Sequence, residues 1–352
     1  MNKLSSILID WYNINKRDLP WRDTHDPYII WLSEIILQQT RVAQGYSYFM
    51  RFVEEFPTVV DLANANEDDV LKLWQGLGYY SRARNLHAAA QMVVSQFGGV
   101  FPTDYKDVLS LKGVGKYTAA AIVSFAYNLP YAVVDGNVYR VLSRLFAIDT
   151  AIDSTPGEKE FAALAQELLD KKNAGLYNQA IMDFGALQCV PVSPDCHNCP
   201  ASDICLAYAK NQVSQYPVKK GKTKVRNRYF NYIDIRYKDL MYLNKRGAKD
   251  IWQNLYELPL IETDKSVDWN TLSQDPRFKN IFEGVTISEV SHVCNYKHVL
   301  SHQILYASFY RVSVKDKIMT PYIEIPVSDI DSYAVSRLVE KYLDEKDIRL
   351  FI

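Results

Sequence analysis

The stretch from Leu111 to Asn137 constrains the fold more than any other. It opens Leu111-Lys112-Gly113-Val114-Gly115-Lys116-Tyr117-Thr118-Ala119. Two glycines separated by one residue permit a tight reversal and a close backbone approach, and the alanine-rich run that follows is helical. The amides of such a hairpin, with the positive end of the helix dipole, form an anion site that suits a phosphate without any basic side chain. A bare Gly-Val-Gly is also what a plain turn between two core helices contains. After a break at Pro130 the chain continues Val133-Val134-Asp135-Gly136-Asn137, where a carboxylate ends an apolar run and opens a new helix. Aspartate is a good N-cap there. The cap and the helix dipole favour its ionised form, so the pKa of Asp135 is expected below the usual value. In the helix from Val138 to Phe146, Val138, Val141, Leu142, Leu145 and Phe146 share one face, with Arg140 and Arg144 off it.

With 352 residues the chain has room for two domains that each bury a core. Apolar residues make up 48% and charged residues 23%, as in ordinary globular chains. A net charge of −1 excludes nothing, because positive charge need only gather on one face to meet a polyanion. No apolar run reaches membrane-spanning length and Met1 to Ser5 lacks a secretory signal, so a cytoplasmic protein with no membrane partner is expected. Four of the five cysteines fall in one short segment, which in a reducing compartment points to a metal centre before disulfides.

From the N-terminus, a helix near Leu4 to Tyr12 leads through Arg17-Asp18-Leu19-Pro20-Trp21-Arg22 to a second helix that Asp26-Pro27 begins. That helix contains Glu34, whose helical neighbours are Ile30, Trp31, Leu37 and Gln38, with no cation among them. A carboxyl in such company is desolvated, protonated near neutrality and suited to general acid work, although an ordinary surface glutamate fits the composition too. Further helices run from Val42 to Glu55 and from Glu67 to Leu73. In Gly76-Leu77-Gly78-Tyr79-Tyr80-Ser81-Arg82-Ala83-Arg84, glycines allow close approach to a duplex, Tyr79 offers a wedge and Arg82 a phosphate contact. The alternative is a helix start with a buried tyrosine. Two more helices, interrupted near Asn173 and Gly175, precede Cys189, Cys196, Cys199 and Cys205. Four thiolates at this spacing suit tetrahedral zinc or a [4Fe-4S] cluster. Beyond Tyr216-Pro217, the residues Lys219, Lys220, Lys222, Lys224, Arg226 and Arg228 form an exposed basic linker, and strands follow from Tyr229 to Tyr237 and from Leu240 to Asn244.

These motifs together resemble the helix-hairpin-helix DNA glycosylase superfamily, in its adenine DNA glycosylase branch. The resemblance rests on Ser33-Glu34 with Leu37-Gln38-Gln39-Thr40, on Gly76-Leu77-Gly78-Tyr79-Tyr80-Ser81-Arg82, on the Gly113 hairpin with Asp135, and on the C-x6-C-x2-C-x5-C order of the cysteines. It implies a mostly α N-terminal helix-hairpin-helix region over 1–216 with an iron-sulfur loop at 189–205. A basic linker at 217–228 and a smaller α+β Nudix-like domain over 229–352 complete the expected fold. Trp252 to Pro259 carries the Nudix likeness, but the metal-binding glutamates of Nudix hydrolases are missing between Leu260 and Val290, so this domain is expected to bind and not hydrolyse.

By the same resemblance Glu34, Asp135, Tyr117 and Asn137 are catalytic. Arg22, Gln38, Gln39, Thr40, Tyr79, Arg82, Gly113, Gly115, Ser301 and His302 bind DNA, and Cys189, Cys196, Cys199 and Cys205 hold a [4Fe-4S] cluster. Leu300 stands where the family usually has phenylalanine, and Cys294 is expected as a buried structural thiol. The implied activity is monofunctional removal of adenine mispaired with 8-oxoguanine or guanine in double-stranded DNA. The chain is expected to act as a monomer in the bacterial cytoplasm, at the nucleoid during repair. Two rivals are an endonuclease III-like glycosylase and lyase acting on oxidised pyrimidines, whose lysine position is Tyr117 here, and a non-enzymatic iron-sulfur DNA-binding module.

Overall fold

The computed structural model describes residues 3–221, 225–319 and 321–345. Its contacts divide the chain into two compact units, one of Met1–Asn64 with Asn85–Lys222 and one of Ala65–Arg84 with Thr223–Ile352. Among the described residues, no helix is long and apolar enough to cross a membrane.

The first unit is helical. It begins with α1 (Lys3–Asn15), α2 (Pro27–Leu37), α3 (Val42–Glu55) and α4 (Val59–Asn64). α5 (Glu67–Leu73) belongs to the second unit, and α6 (Ser81–Phe97) starts there and continues into the first. α7 (Tyr105–Ser110), α8 (Lys116–Tyr127), α9 (Gly136–Phe146), α10 (Thr155–Leu168), α11 (Ala174–Asp183) and the short α12 (Leu206–Ala209) complete the first unit, with a π-helical turn at Phe184–Gln188. α2 starts where Asp26-Pro27 predicts: the Asp26 carboxylate accepts from the Tyr28 amide at 2.8 Å and Pro27 occupies the first turn. It buries Ile30, Trp31, Leu32, Ile35 and Ile36 against α8, whose alanines let the two backbones approach. The hairpin between α7 and α8 turns at Gly113, with φ of 76°. A Cβ there would lie 2.6 Å from the Asn85 Cβ, so both the turn and the packing demand glycine.

α9 corrects the expected face. Phe146 is 38% exposed, whereas Arg140 and Arg144 are buried. Arg144 donates to the carbonyls of Val190, Pro191, Val213 and Tyr216, so a charged residue closes loops that the apolar pattern cannot account for.

The second unit is built on a mixed sheet. Among the described residues its strands are β1 (Arg226–Tyr237), β2 (Leu240–Lys245), β3 (Tyr256–Glu257), β4 (Leu260–Thr263), β5 (Ile287–Val299), β6 (Gln303–Val314) and β7 (Ile323–Pro326), with helices α13 (Trp269–Ser273), α14 (Pro276–Ile281) and α15 (Arg337–Glu345). The main order is β3-β2-β1-β6-β5, with β1 and β6 parallel and β5 and β6 antiparallel. One sheet face packs Phe230, Tyr232 and Phe309 against Leu338 and Tyr342 of α15, and the other packs Ile233, Tyr310 and Val312 against Leu272, Phe278 and Ile281 of α13 and α14. The expected basic linker is shorter than 217–228. Arg226 already lies in β1, and Arg228 is buried with both guanidinium edges on Asp250 and Glu262. Lys222 and Lys224 lie outside the described residues.

Candidate active site

A solvent-open cleft in the first unit brings together Glu34, Gln38, Gln39, Thr40, Tyr117, Asp135 and Asn137, with Arg22 on its wall. Residues about a hundred positions apart meet because α2 and the start of α8 are packed together and α9 begins at Asp135.

The Tyr117 hydroxyl donates to Glu34 Oε2 at 2.6 Å. Burial pushes the Glu34 carboxyl above its ordinary value, against the Tyr117 hydrogen bond and the Arg22 charge, which pull the other way. Burial also pushes the Tyr117 phenol up, so it remains a donor. Asp135 caps α9. Its Oδ1 accepts from the amides of Asn137 at 2.9 Å and Val138 at 2.8 Å, and its Oδ2 accepts from Asn137 Nδ2 at 2.8 Å. The expected lowering of its pKa is not what results. Burial outweighs these donors and leaves Asp135 raised, so both carboxyls of the cleft are pushed in the same direction.

Composition gave no sign of two further groups. Arg140 donates to Asn137 Oδ1 at 2.9 Å and to Cys189 O at 2.7 Å, fixing the amide that in turn holds Asp135. Asp183, fully buried, receives Arg17 and Arg22. The Asp183-Phe184-Gly185 segment was the available signal, since a carboxylate inside an apolar helix end needs a cation. Gly185 also sits where an added Cβ would lie 2.7 Å from Asn137 Cβ.

Gln38 ends α2 and donates to Thr118 Oγ1 at 3.2 Å. Gln39 next to it is exposed with φ of 55°, and Tyr79 in the second unit is 48% exposed with φ of 48°. Left-handed backbone at a non-glycine residue carries strain, which eight other non-glycine residues among those described share with these two. Arg82 is buried. Its guanidinium lies 5.1 Å from the Trp74 ring and 5.6 Å from that of Tyr79 and donates to Gly78 O, so it braces the Tyr79 turn. Gly113 and Gly115 are exposed at the hairpin, and Gly115 caps α8.

Within the second unit, Ser301 and His302 form the exposed turn between β5 and β6, 3.2 Å apart at Ser301 Oγ and His302 Nδ1. They line one pocket with Tyr79 and Trp252, a juxtaposition that sequence separation conceals. Leu300 in the same turn packs on the core beneath α15, as does half-buried Cys294.

The expected [4Fe-4S] cluster is corrected, and with it the iron-sulfur part of the expected fold. Among the described residues, no group of three or more His, Cys, Asp or Glu side chains could hold a metal ion. Cys189, Cys196, Cys199 and Cys205 border a small apolar recess with Val141, Leu145 and Phe184. Burial pushes the thiols of Cys196, Cys199 and Cys205 up, that of Cys199 to about 11, whereas a ligand must be a thiolate. Cys189 Sγ accepts from Arg144, and Cys205 Sγ donates to the Arg144 carbonyl. The residues present do not fit the cluster, and zinc fares no better.

Comparison with known proteins agrees with this geometry. Residues 32–171 match the family model of the HhH-GPD superfamily base excision DNA repair proteins, and residues 232–345 match that of the NUDIX domain. The adenine DNA glycosylase of Buchnera aphidicola subsp. Schizaphis graminum is 35% identical over 282 residues, covering 79% of this chain and 81% of that protein. The Homo sapiens adenine DNA glycosylase is 43% identical over 217 residues, covering 59% of this chain and 40% of its own, so such relatives are not confined to bacteria. Among solved structures, a thermostable thymine-DNA glycosylase is similar with a TM-score of 0.55 at 32% identity, over 59% of this chain and 95% of that one.

Proposed function

Since this chain belongs to the adenine DNA glycosylases of the HhH-GPD superfamily, hydrolases of the N-glycosidic bond in base excision repair, we propose that it selects adenine opposite 8-oxoguanine and, second, adenine opposite guanine. The observation that carries the chemical reading is the pairing of Tyr117 with a buried, raised carboxyl at Glu34, in one cleft with the Asn137-held carboxylate of Asp135.

The target base lies inside a duplex and must be turned out of the stack before any side chain reaches it. Gln39 and Tyr79, held in strained backbone, are suited to fill or wedge the vacated space. With Oε2 accepting from Tyr117, the Glu34 proton resides on Oε1, free to pass to the purine N7 and make adenine a better leaving group. Bond breaking leaves positive charge on the sugar. That charge is stabilised by the ionised Asp135 carboxylate, which the fixed donors keep in place without reorganisation. Water completes hydrolysis. Tyr117 occupies the position where a lyase would need an amine, which supports monofunctional cleavage. Ser301 and His302, sharing a pocket with Tyr79, supply a hydroxyl and an imidazole able to test the hydrogen-bonding edge of the opposite base.

Excision from duplexes holding adenine opposite 8-oxoguanine, guanine or thymine tests the reading. The expected order of rates is 8-oxoguanine, then guanine, with thymine negligible; equal rates on all three would refute selection by the opposite base.

A further inference from the structure

The cleft that holds Glu34 and Asp135 has a sulfur in its wall that the excision chemistry does not use. Met182, next to last in α11, lines the cleft with Tyr117 and Asn137. Its Sδ lies 3.9 Å from the Tyr117 hydroxyl, the same hydroxyl that donates to Glu34 Oε2 at 2.6 Å. One phenolic proton therefore faces two acceptors, and the carboxyl holds it because a thioether accepts only weakly. The sulfur is not free to withdraw. Its neighbour Asp183 is fully buried under Arg17 and Arg22, and α11 packs against both α1 and α8, so this end of the helix is pinned.

A methionine in a protein wall is first of all a pliable apolar filler, and Met241, wholly buried in the sheet of the second unit, needs no other reading. Met182 differs because its sulfur touches a hydrogen bond of the site and its cleft is open to solvent, so a small oxidant reaches it. Met50 and Met319 are more exposed, at 44% and 95%, yet neither lines this cleft. With a peroxide the reaction balances. A sulfur lone pair attacks one peroxide oxygen, the O–O bond breaks, and the departing hydroxide takes the proton of the transferred oxygen and leaves as water. Sulfur is oxidised by the electron pair that the peroxide gains. The product carries a polar sulfoxide oxygen, a far stronger acceptor than the thioether, bonded to an atom already 3.9 Å from the hydroxyl.

We propose that Met182 is an oxidation site by which peroxide slows excision: its sulfoxide oxygen draws the Tyr117 hydroxyl away from Glu34. The slowing presupposes the excision chemistry proposed for Glu34, whereas oxidation of the sulfur does not. The charged and titratable groups that face Glu34 are Tyr117 from α8, Arg22 from the loop before α2 and Asp135 at the start of α9. Tyr117 meets the sulfur, and its hydrogen bond holds the Glu34 pKa down. Once the hydroxyl turns away, the carboxyl loses the donor that positions it and its pKa rises, as expected for Tyr117→Phe.

Treatment of the full chain with hydrogen peroxide tests this, followed by a thiol reductant that returns oxidised cysteines and leaves sulfoxides. Peptide mass spectrometry measures the oxygen on Met182, and single-turnover excision from a duplex with adenine opposite 8-oxoguanine is followed across pH. Excision should fall by about ten- to a hundredfold in the oxidised fraction, the cost of a misplaced catalytic group, with its alkaline limb moved upward. Methionine sulfoxide reductases for both epimers should restore rate and limb together. Met182→Leu, which offers no sulfur, should keep its own untreated rate after peroxide. Met182→Gln, whose amide oxygen stands in for the sulfoxide, should show the shifted limb without peroxide. Restoration on the native chain decides the matter even where a variant fails to fold. A Met182 that stays unoxidised while Met50 and Met319 gain oxygen, full excision by a chain that carries the Met182 sulfoxide, or an equal loss in Met182→Leu overturns the site. An untreated chain that excises no adenine would count against the excision reading alone.

Discussion

At the scale of single residues, the chemistry of the cleft turns on which groups hold protons. Glu34 and Asp135 are both raised by burial. A carboxyl whose folded pKa exceeds its unfolded value contributes stability below the unfolded pKa and loses it as pH rises through the folded one. Glu34→Gln removes that cost while its amide oxygen still accepts from Tyr117, so its melting temperature at neutral pH should equal or exceed that of the native chain; a large drop would show that Glu34 serves the fold. Glu34 must be protonated to act, so excision should fall as pH rises through its pKa. The Tyr117 hydrogen bond lowers that pKa. Tyr117→Phe should therefore move the alkaline limb of the single-turnover pH profile upward, and a downward shift would assign the limb to another group. Legibility at this scale was uneven. The isolation of Glu34 among apolar neighbours was visible in the sequence, because helical spacing fixes neighbours on one element. The direction of the Asp135 shift was not, because local capping favours charge and only the tertiary burial that outweighs it reverses the sign.

At the scale of elements, starts and stops were readable wherever the chain supplied local chemistry. Asp26-Pro27 gave α2, and the helices over Val42–Glu55 and Glu67–Leu73 lie where the apolar pattern places them. Arg140 and Arg144 were not readable as buried, since their partners are carbonyls from segments 45 to 72 residues away. The same loops bear on the cysteines. Spacing is a statement about order, whereas ligation needs thiolates that converge, and burial instead favours neutral thiols in this recess. The π-helical turn after α11 makes its own prediction. Gly185→Ala would drive a methyl into Asn137 and displace the amide that holds Asp135. A displacement near 1 Å can cost about 10²-fold in rate. The methyl also meets the Asn137 backbone, so the melting temperature should fall as well; single-turnover excision should drop in the variant that remains folded at the assay temperature, and an unchanged rate there would mean that Asn137 does not position Asp135.

At the scale of the whole molecule, the compact units interleave along the chain. The segment Ala65–Arg84 belongs with the C-terminal sheet, so Tyr79 shares a pocket with Ser301 and His302, more than two hundred residues later. Composition shows a boundary near Tyr216 but cannot show a segment that belongs elsewhere. Replacing Ser301 and His302 together by alanine should slow capture of adenine opposite 8-oxoguanine far more than opposite guanine, by roughly the 1 to 3 kcal/mol of a base-edge contact. Equal loss on both pairs would place discrimination in the unit of Gln39. The most direct test of the central claim is single-turnover excision from a duplex with one adenine opposite 8-oxoguanine, by the native chain and by Glu34→Gln. The native chain should give alkali-labile abasic sites with no strand break before alkali, and the variant should lose on the order of 10² to 10⁴ in rate. Near-native excision by Glu34→Gln, or strand cleavage without alkali by the native chain, would contradict the claim.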